Sequence, residues 1–262
     1  MLELLFLGTG GARFVVLRQL RATAGFIIKG EANLYIDPGP GALLKSVELK
    51  QQLHKLDAVI VSHAHIDHSN DANLIIEGMT NGGQRRRGVL IGSSSALEGN
   101  DRFDRVVSAY HQRMVERSFI AKPESVFSVK GMEIQATPTK HEDENGVGFI
   151  FKSKDGVVGY TGDTEYFPEL GKIFRNCDVL ILNNLKPAGC SYPGHLNSEM
   201  TIRILKEARP KKAVIQHFGM AMLRAGPEAE ARLIQQESGV ETIAAKDGMV
   251  VNIRKTLSDF QE

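Results

Sequence analysis

Four side chains of the kinds that bind metals stand within six residues, directly after an apolar run. The run Asp57-Ala58-Val59-Ile60-Val61 predicts a buried strand, and His63-Ala64-His65-Ile66-Asp67-His68 follows it after one serine. Imidazole nitrogen and carboxylate oxygen are ligands that zinc accepts in open, catalytic sites. The alternative, a polar turn with incidental histidines, is disfavoured by this density of ligands. Because catalytic metals need ligands from several elements, the fold is expected to bring others to this strand end.

Further candidate ligands follow three later apolar runs. His141 ends Thr137-Pro138-Thr139-Lys140-His141, Asp163 lies in Gly159-Tyr160-Thr161-Gly162-Asp163-Thr164, and His217 follows Val214-Ile215-Gln216. Taken singly each is a weak signal, since a lone histidine at a strand end is more often a hydrogen-bonded structural residue. Their order and chemical type together favour one metal site.

The remaining pattern predicts strands and helices in alternation. Short apolar runs bounded by turn residues predict hairpins at 26–36 and 148–161, the second around Ser153-Lys154-Asp155-Gly156. Other expected strands lie at 1–7, 57–61, 89–91, around 127 and 134, and at 179–182 and 213–215. Expected helices lie at 42–53, about 101–116, 198–208 and 227–237, with a closing hairpin around 246–248. This alternation predicts mixed sheets with helices outside, in one domain over residues 1–262.

Composition limits the class of protein without indicating a reaction. The chain is 42% hydrophobic and 24% charged, which is typical of globular proteins, and its net charge of +1 neither favours nor excludes nucleic acid. Two cysteines, Cys177 and Cys190, are too few for a disulfide framework and are interpreted as reduced thiols. We find no signal peptide and no apolar stretch of roughly 20 residues. We therefore expect a cytoplasmic protein with no membrane partner.

The succession HxHxDH, a later His, a Gly-Asp and a final His resembles the metallo-β-lactamase superfamily. Phe6-Leu7-Gly8-Thr9-Gly10-Gly11 and Tyr35-Ile36-Asp37-Pro38-Gly39 also resemble its opening motifs, so the match covers most of the chain. The resemblance implies an α/β fold, a four-layer αββα sandwich of two mixed β-sheets with the metals at one edge.

The same resemblance implies two divalent metal ions. Zn²⁺ is expected, with Mn²⁺ and Fe²⁺ left open because the order of affinities does not select among them. By motif, the first ion takes His63, His65 and His141. The second takes Asp67, His68 and His217, and Asp163 bridges the two. Asp37 is expected to orient one ligand by hydrogen bonding.

The HxHxDH motif, complete with His68, resembles the phosphodiesterase, ribonuclease Z-like and lactonase branches more than true β-lactamases. The Phe-Leu-Gly-Thr-Gly-Gly opening is most similar to ribonuclease Z-like phosphodiesterases, although we find no long Gly/Pro-containing arm of the kind that grips tRNA. The implied reaction is hydrolysis by a hydroxide held between two metals, with Asp67 or Asp163 receiving the proton. The expected partner is an anionic phosphoester, either a small molecule or RNA, and a homodimer is left open.

His195 lies in the loop Tyr192-Pro193-Gly194-His195, just before a predicted helix cap. Ribonuclease Z-like relatives place a histidine in a similar loop near the scissile bond, so we predict that His195 donates a proton to the leaving group. A surface histidine beside a helix cap is the alternative.

Other charged residues are weaker candidates. The run Arg85-Arg86-Arg87 and the pair Arg18 and Arg21 are candidates for contact with an anion, although short charge runs are usually solvated. His54 and His111 lie in helical stretches and are interpreted as structural or surface residues.

Three alternative functions remain. Lactone or thioester hydrolysis uses the same metals, a persulfide dioxygenase uses one iron in HxHxDH, and a non-enzymatic relative binds RNA or another partner. The intact ligand set disfavours the non-enzymatic alternative.

Overall fold

The computed structural model describes residues 1–253, in which short strands alternate with short helices. In chain order the strands are β1 (Leu2–Phe6), β2 (Phe26–Lys29), β3 (Leu34–Ile36), β4 (Ala58–Val61), β5 (Val89–Ser93), β6 (Arg117–Ala121), β7 (Val126–Val129), β8 (Met132–Pro138), β9 (Val147–Ser153), β10 (Gly156–Tyr160), β11 (Val179–Lys186), β12 (Leu196–Asn197), β13 (Lys212–Gln216), β14 (Thr242–Ala244) and β15 (Val250–Ile253). The helices are α1 (Arg13–Arg18), α2 (Ala42–Glu48), α3 (Ile66–Ser69), α4 (Ala72–Thr80), α5 (Ser94–Leu97), α6 (Ala109–Gln112), α7 (Leu170–Ile173), α8 (Ser198–Ala208), α9 (Met220–Ala225) and α10 (Pro227–Ser238), with one 3₁₀ turn at Leu53–Lys55.

The strands form two mixed sheets. The first has the order β15-β1-β2-β3-β4-β5-β6, antiparallel from β15 to β3 and parallel from β3 to β6. The second has the order β14-β13-β11-β10-β9-β8-β7, parallel from β14 to β10 and antiparallel from β10 to β7, with β12 beside β11.

Alternating side chains build the layers, because successive residues of a strand point to opposite faces. On β1, Leu4 and Phe6 enter the core between the sheets, whereas Leu5 faces the helix layer that contains α2 and α4. On β9, Phe149 joins the central core and Ile150 packs with α7, α8 and α10 on the other side. The predicted four-layer αββα sandwich is therefore confirmed.

The structure confirms both interior hairpins and corrects three other predictions. Strands β2 and β3 pair antiparallel, as do β9 and β10, with Ser153 opposite Gly156. The helix expected over 42–53 ends at Glu48. The helix expected over 101–116 is only α6, because the backbone N–H groups before it have partners elsewhere: those of Val106 and Val107 donate to Ala96 O, and that of Ser108 donates to Asn73 Oδ1.

The third correction concerns the closing hairpin around 246–248. Strand β14 extends the second sheet beside β13, whereas β15 pairs with β1 in the first sheet. The turn between them therefore crosses from one sheet to the other. Asp247 anchors this crossing, since its carboxylate accepts from Thr9 N, Thr9 Oγ1 and Ala22 N. A turn signal in the sequence is the same for a hairpin and for such a crossing.

Several elements were not predicted, among them α1, α4 and β6. The prediction of one domain over 1–262 stays a prediction, and residues 254–262 lie outside the described part of the chain. Within residues 1–253, no helix combines the length and apolar character needed to cross a bilayer.

The sheet topology brings the candidate ligands to one edge. Strand β4 runs into His63, and β8, β10 and β13 lead to His141, Asp163 and His217. The pairing directions make β8, β10 and β13 point the same way, so their carboxyl ends meet.

Candidate metal centre

One carboxylate oxygen stands at the middle of the cluster. Oδ2 of Asp163 lies 3.3 Å from His217 Nε2, 3.4 Å from His68 Nε2 and 3.5 Å from His195 Nδ1. It also lies 3.9 Å from His63 Nε2 and 4.0 Å from His141 Nε2. Five imidazoles therefore converge on one oxygen of a carboxylate that is 4% exposed.

Among the described residues, four groups of three side chains could hold a metal ion, and two of them are the sets that the sequence resemblance implied. In the first, His65 Nδ1 lies 3.2 Å from His63 Nε2 and 3.0 Å from His141 Nε2. We call these three residues the first trio.

The second trio is Asp67, His68 and His217. Nε2 of His217 lies 3.0 Å from His68 Nε2 and 3.3 Å from Asp67 Oδ2. The structure thus brings together the two sets that the sequence resemblance implied.

The donor set fits divalent cations. Two imidazole nitrogens about 3 Å apart can share at most one proton, so several facing pairs leave lone pairs directed at common points. Nδ1 of His195, a buried atom directed towards Asp163, has no hydrogen-bond partner among the described residues. Imidazole nitrogens with carboxylate oxygens are the donors expected for zinc and similar metals.

Electrostatics favours the protonation states that ligands require at His63 and Asp163, whereas His68 must give up a proton to bind a metal. Burial lowers the pKa of His68, but Asp163 and Asp67 outweigh it and hold that pKa well above its ordinary value. Burial lowers the pKa of His63 well below its ordinary value, so its imidazole is neutral. Burial alone raises the pKa of Asp163, but His217 and His68 outweigh it and hold that pKa well below the usual range. The Asp163 carboxylate is therefore ionised.

Asp37 orients His68, as expected. Its Oδ2 accepts from His68 Nδ1 at 2.9 Å, from Tyr160 OH at 2.6 Å and from Ser62 Oγ at 2.6 Å. Its Oδ1 accepts from Ser62 N at 2.7 Å. These bonds turn Nε2 of His68 towards Asp163. The backbone of Asp37 has φ 51°, a strained conformation of the kind that concentrates at functional sites.

Two buried side-chain amides, linked by a hydrogen bond, hold Asp163, and the sequence analysis did not identify them. Asn183 Nδ2 donates to Asp163 Oδ1 at 2.7 Å and contacts Tyr160 OH at 3.0 Å. Gln216 Nε2 donates to Asn183 Oδ1 at 3.0 Å. The sequence feature that could have identified these residues is an amide side chain within an otherwise apolar strand, because a buried amide requires hydrogen-bond partners.

Asp143 supports the first trio and was also missed. This carboxylate is fully buried, and its Oδ2 accepts from Ala64 N at 2.9 Å and Ser95 Oγ at 2.5 Å. Ala64 lies between His63 and His65, and Asp143 lies two residues after His141. One carboxylate therefore ties together the two loops that carry the trio.

The glycine-rich opening supports the second trio. Ala12 N donates to Asp67 Oδ2 at 2.9 Å, and Gly11 N donates to Phe218 O at 3.2 Å. A Cβ at Gly11 would collide with the His217 ring, so only glycine fits there. His217 itself has φ 63°. The glycine-rich segment therefore packs against His217, the last proposed ligand along the chain.

His195 lies inside the cluster and not on the surface. It is 8% exposed, its ring centre lies 4.8 Å from that of His141, and it stacks at 5.8 Å on His217. Burial lowers its pKa to about 3, so the imidazole is neutral at neutral pH.

The remaining candidates make other contacts within the described chain. Arg86 donates to Val115 O, and Arg87 donates to Leu56 O, so both satisfy backbone carbonyls. Nε2 of His111 lies 3.3 Å from Glu77, and His54 lies in the 3₁₀ turn, which agrees with their interpretation as structural or surface residues. Arg21 reaches Thr9 Oγ1 at 3.5 Å. A contact of Arg18, Arg21 or the run Arg85-Arg86-Arg87 with an anion stays a prediction.

Sequence comparison places a known domain over most of this site. A sequence model described as the beta-lactamase superfamily domain matches residues 32–218. An uncharacterized protein of Methanocaldococcus jannaschii, MJ1374, is 37% identical over 254 residues, which cover 96% of this chain and 95% of that protein. A UPF0173 metal-dependent hydrolase of Pelotomaculum thermopropionicum is 26% identical over 216 residues, 74% of this chain and 81% of that protein.

Solved structures share the fold. The metallo-β-lactamase fold protein YhfI of Bacillus subtilis matches with a TM-score of 0.78 and 22% identity, over 95% of this chain and 98% of that one. A diphosphatase from the PhnP family matches with a TM-score of 0.72 and 17% identity, over 97% and 98%. The short form of human tRNase Z matches with a TM-score of 0.70 and 18% identity, over 97% and 100%.

Proposed function

The chain belongs to the metallo-β-lactamase superfamily, and from that premise we propose that it is a metal-dependent hydrolase that cleaves phosphodiesters. The observation that carries the proposal is the convergence of five imidazole nitrogens within 4.0 Å of one oxygen of Asp163. We assign His63, His65 and His141 to one divalent ion, Asp67, His68 and His217 to a second, and Asp163 as the bridge. Zinc is the metal we expect.

Such ions, when bound, supply a nucleophile at neutral pH and offset the negative charge that develops on phosphoryl oxygens. Carboxylates of the chain accept the proton that the attacking water loses. Asp67 and Asp163 each present one oxygen to the cluster and are held by hydrogen bonds, Asp67 from Ala12 N and Asp163 from Asn183. Either carboxylate is placed to accept a proton from the attacking water.

His195 serves the leaving group in this proposal. Its loop places the ring beside His141 and His217, with one nitrogen 3.5 Å from Asp163. A neutral imidazole carries one N–H, which can hydrogen-bond to the leaving oxygen. As that proton passes to the leaving oxygen and the P–O bond breaks, Nδ1 takes up the proton that Asp163 has accepted from the attacking water, so the ring stays neutral.

Two observations support phosphodiesters as the substrate class. The sequence carries the complete HxHxDH motif, His68 included, and in this it resembles the phosphodiesterase-like branches. In addition, a diphosphatase and a tRNase Z are among the proteins that share the fold over nearly the whole chain. The phosphoester is the one partner we propose, and it binds at the cluster of His and Asp side chains.

The test compares hydrolysis of bis-p-nitrophenyl phosphate with that of γ-butyrolactone, alongside elemental analysis. We expect turnover of the phosphodiester and two divalent ions per chain. His63→Ala should lose both metal and turnover, whereas His111→Ala, a histidine outside the cluster, should keep both. Turnover of the lactone alone, one iron per chain, or full turnover and metal content in His63→Ala would each refute the proposal.

A further inference from the structure

A groove opens beside His141, on the side of the cluster formed by the loop that precedes α8. Its volume is about 420 Å³, and it is lined by His141, Gly194 and the five residues Lys140, Glu142, Glu165, Tyr192 and Pro193. We call it the Tyr192 groove. Because one wall is a proposed metal ligand, a group esterified to a phosphate at the metal centre would extend into it.

Tyr192 gives the groove a flat apolar wall. The ring is 55% exposed although its centre lies only 5.5 Å from that of His195. Lys186 Nζ lies 5.5 Å from the same ring centre, so positive charge stands close to it. Together with Pro193, this ring offers a surface on which a planar group can stack.

Both carboxylates on the lining are paired with cations. Glu165 Oε2 accepts from Gly194 N at 3.2 Å, and its Oε1 lies 3.3 Å from Lys140 Nζ. Glu142 Oε1 pairs with Arg102 at 2.8 Å, and its Oε2 lies 3.8 Å from His65 Nε2.

Each of these carboxylates keeps lone pairs that can accept from hydroxyl or amino groups, because an ionised carboxylate has about four acceptor positions. The group that fits is therefore planar on one side and rich in donors on the other.

We propose that the Tyr192 groove binds the nucleoside part of a phosphodiester substrate. The base stacks on Tyr192, and the sugar hydroxyls hydrogen-bond to Glu142 and Glu165. The assignment rests on the proposed function for the position of the phosphate.

Calorimetric titration of the metal-loaded full chain tests this without requiring turnover. Adenosine 5′-monophosphate and ribose 5-phosphate differ only in the base, so the ratio of their Kd values measures what the base contributes. We expect the nucleotide to bind about 5- to 100-fold more tightly, as stacking on an aromatic side chain gives.

Substitutions test whether Tyr192 is the residue that contacts the base. Tyr192→Leu should bring the ratio close to one, Tyr192→Phe should keep it, and Tyr110→Leu, which removes another exposed tyrosine, should leave it as in the wild type. Equal affinities in the wild type, or an unchanged ratio in Tyr192→Leu, would overturn the assignment.

A retained preference for the base in a protein that fails to hydrolyse bis-p-nitrophenyl phosphate would contradict the proposed hydrolysis and support the groove.

Discussion

At the scale of single residues, the candidate site depends on side chains that are not proposed ligands. Asp37 orients His68, Asn183 holds Asp163, and Asp143 ties the loops of the first trio together. All three are buried, and their hydrogen bonds restrict the orientations that the proposed ligands and their loops can adopt.

Asp143→Asn should weaken the first trio selectively. The amide keeps the size of the carboxylate but removes its charge and replaces one acceptor with a donor facing Ser95 and Ala64. Loss of a partner that orients metal ligands typically costs about 10- to 100-fold in metal affinity. Metal content can be measured by mass spectrometry after dialysis against a series of zinc concentrations. At concentrations where the wild type holds two ions per chain, Asp143→Asn should hold one.

The exposed Asp101→Asn provides the control for that measurement. A zinc occupancy curve identical to wild type in Asp143→Asn would contradict the positioning role, whatever the change in thermal stability.

His195→Ala should discriminate between leaving groups. If His195 supplies the proton, its loss costs more when the departing oxygen is basic. We therefore expect kcat to fall about 100-fold or more with methyl phenyl phosphate, as general acid catalysis typically contributes. It should fall much less with bis-p-nitrophenyl phosphate, whose leaving group needs no proton. Metal content should stay at the wild-type value, and equal losses on both substrates would assign His195 another role.

At the scale of elements, every proposed ligand follows the carboxyl end of a strand, and short loops determine where it points. The glycine-rich segment between β1 and α1 is the least obvious of these elements, because it contains no proposed ligand. It runs beside the segment after β13, with Phe218 N donating to Thr9 O at 2.8 Å and Gly11 N donating to Phe218 O. These two bonds align the backbone that carries His217.

Gly11→Ala tests this element. The added methyl group would collide with the His217 ring, and the ring must shift because the backbone on both sides is hydrogen-bonded. We expect zinc affinity to fall at the second trio, with the affinity of the first trio closer to wild type, in a competition titration with a chromophoric chelator. Wild-type affinities at both sites would show that the loop can relax without moving the ligand.

At the scale of the whole molecule, the two sheets meet at the candidate site. His63, His65, Asp67 and His68 follow β4 of the first sheet, whereas His141, Asp163 and His217 follow strands of the second. Each trio therefore takes residues from both sheets. Ions bound there would link the sheets at one edge of the sandwich, in addition to the apolar core between them.

Removal of metal should therefore lower thermal stability. A ligand at 100 times its Kd stabilises the folded state by about 2.7 kcal/mol, and each kcal/mol shifts Tm by roughly 2–4 °C in a protein of this size. We expect dialysis against EDTA to lower Tm by about 5–10 °C in differential scanning calorimetry, and added zinc to restore it. The same treatment of His63→Ala should change Tm less, and an unchanged wild-type Tm would contradict binding across the sheets.

Local sequence determined much of this protein. The alternation of strands and helices predicts mixed sheets with helices outside, and the family resemblance of the motifs implies the four-layer sandwich. The residues after β4, β8, β10 and β13 predict the proposed ligands, because side-chain chemistry and strand ends are local properties. The interior hairpins were predicted for the same reason. The short length of α6 was not, because the backbone N–H groups of Val106 and Val107 donate to Ala96 O, a partner outside the segment, and not to a preceding helical turn.

Tertiary structure alone decided the rest. Asp143 stands in the charged stretch His141-Glu142-Asp143-Glu144-Asn145, which is typical of a solvated loop, yet it is fully buried against Ala64 and Ser95. Likewise, the turn at Asp247 crosses between sheets because its carboxylate meets Thr9 and Ala22, more than 200 positions earlier. Burial and hydrogen bonding of a charged group depend on partners distant along the chain, and only the folded structure brings those partners to it.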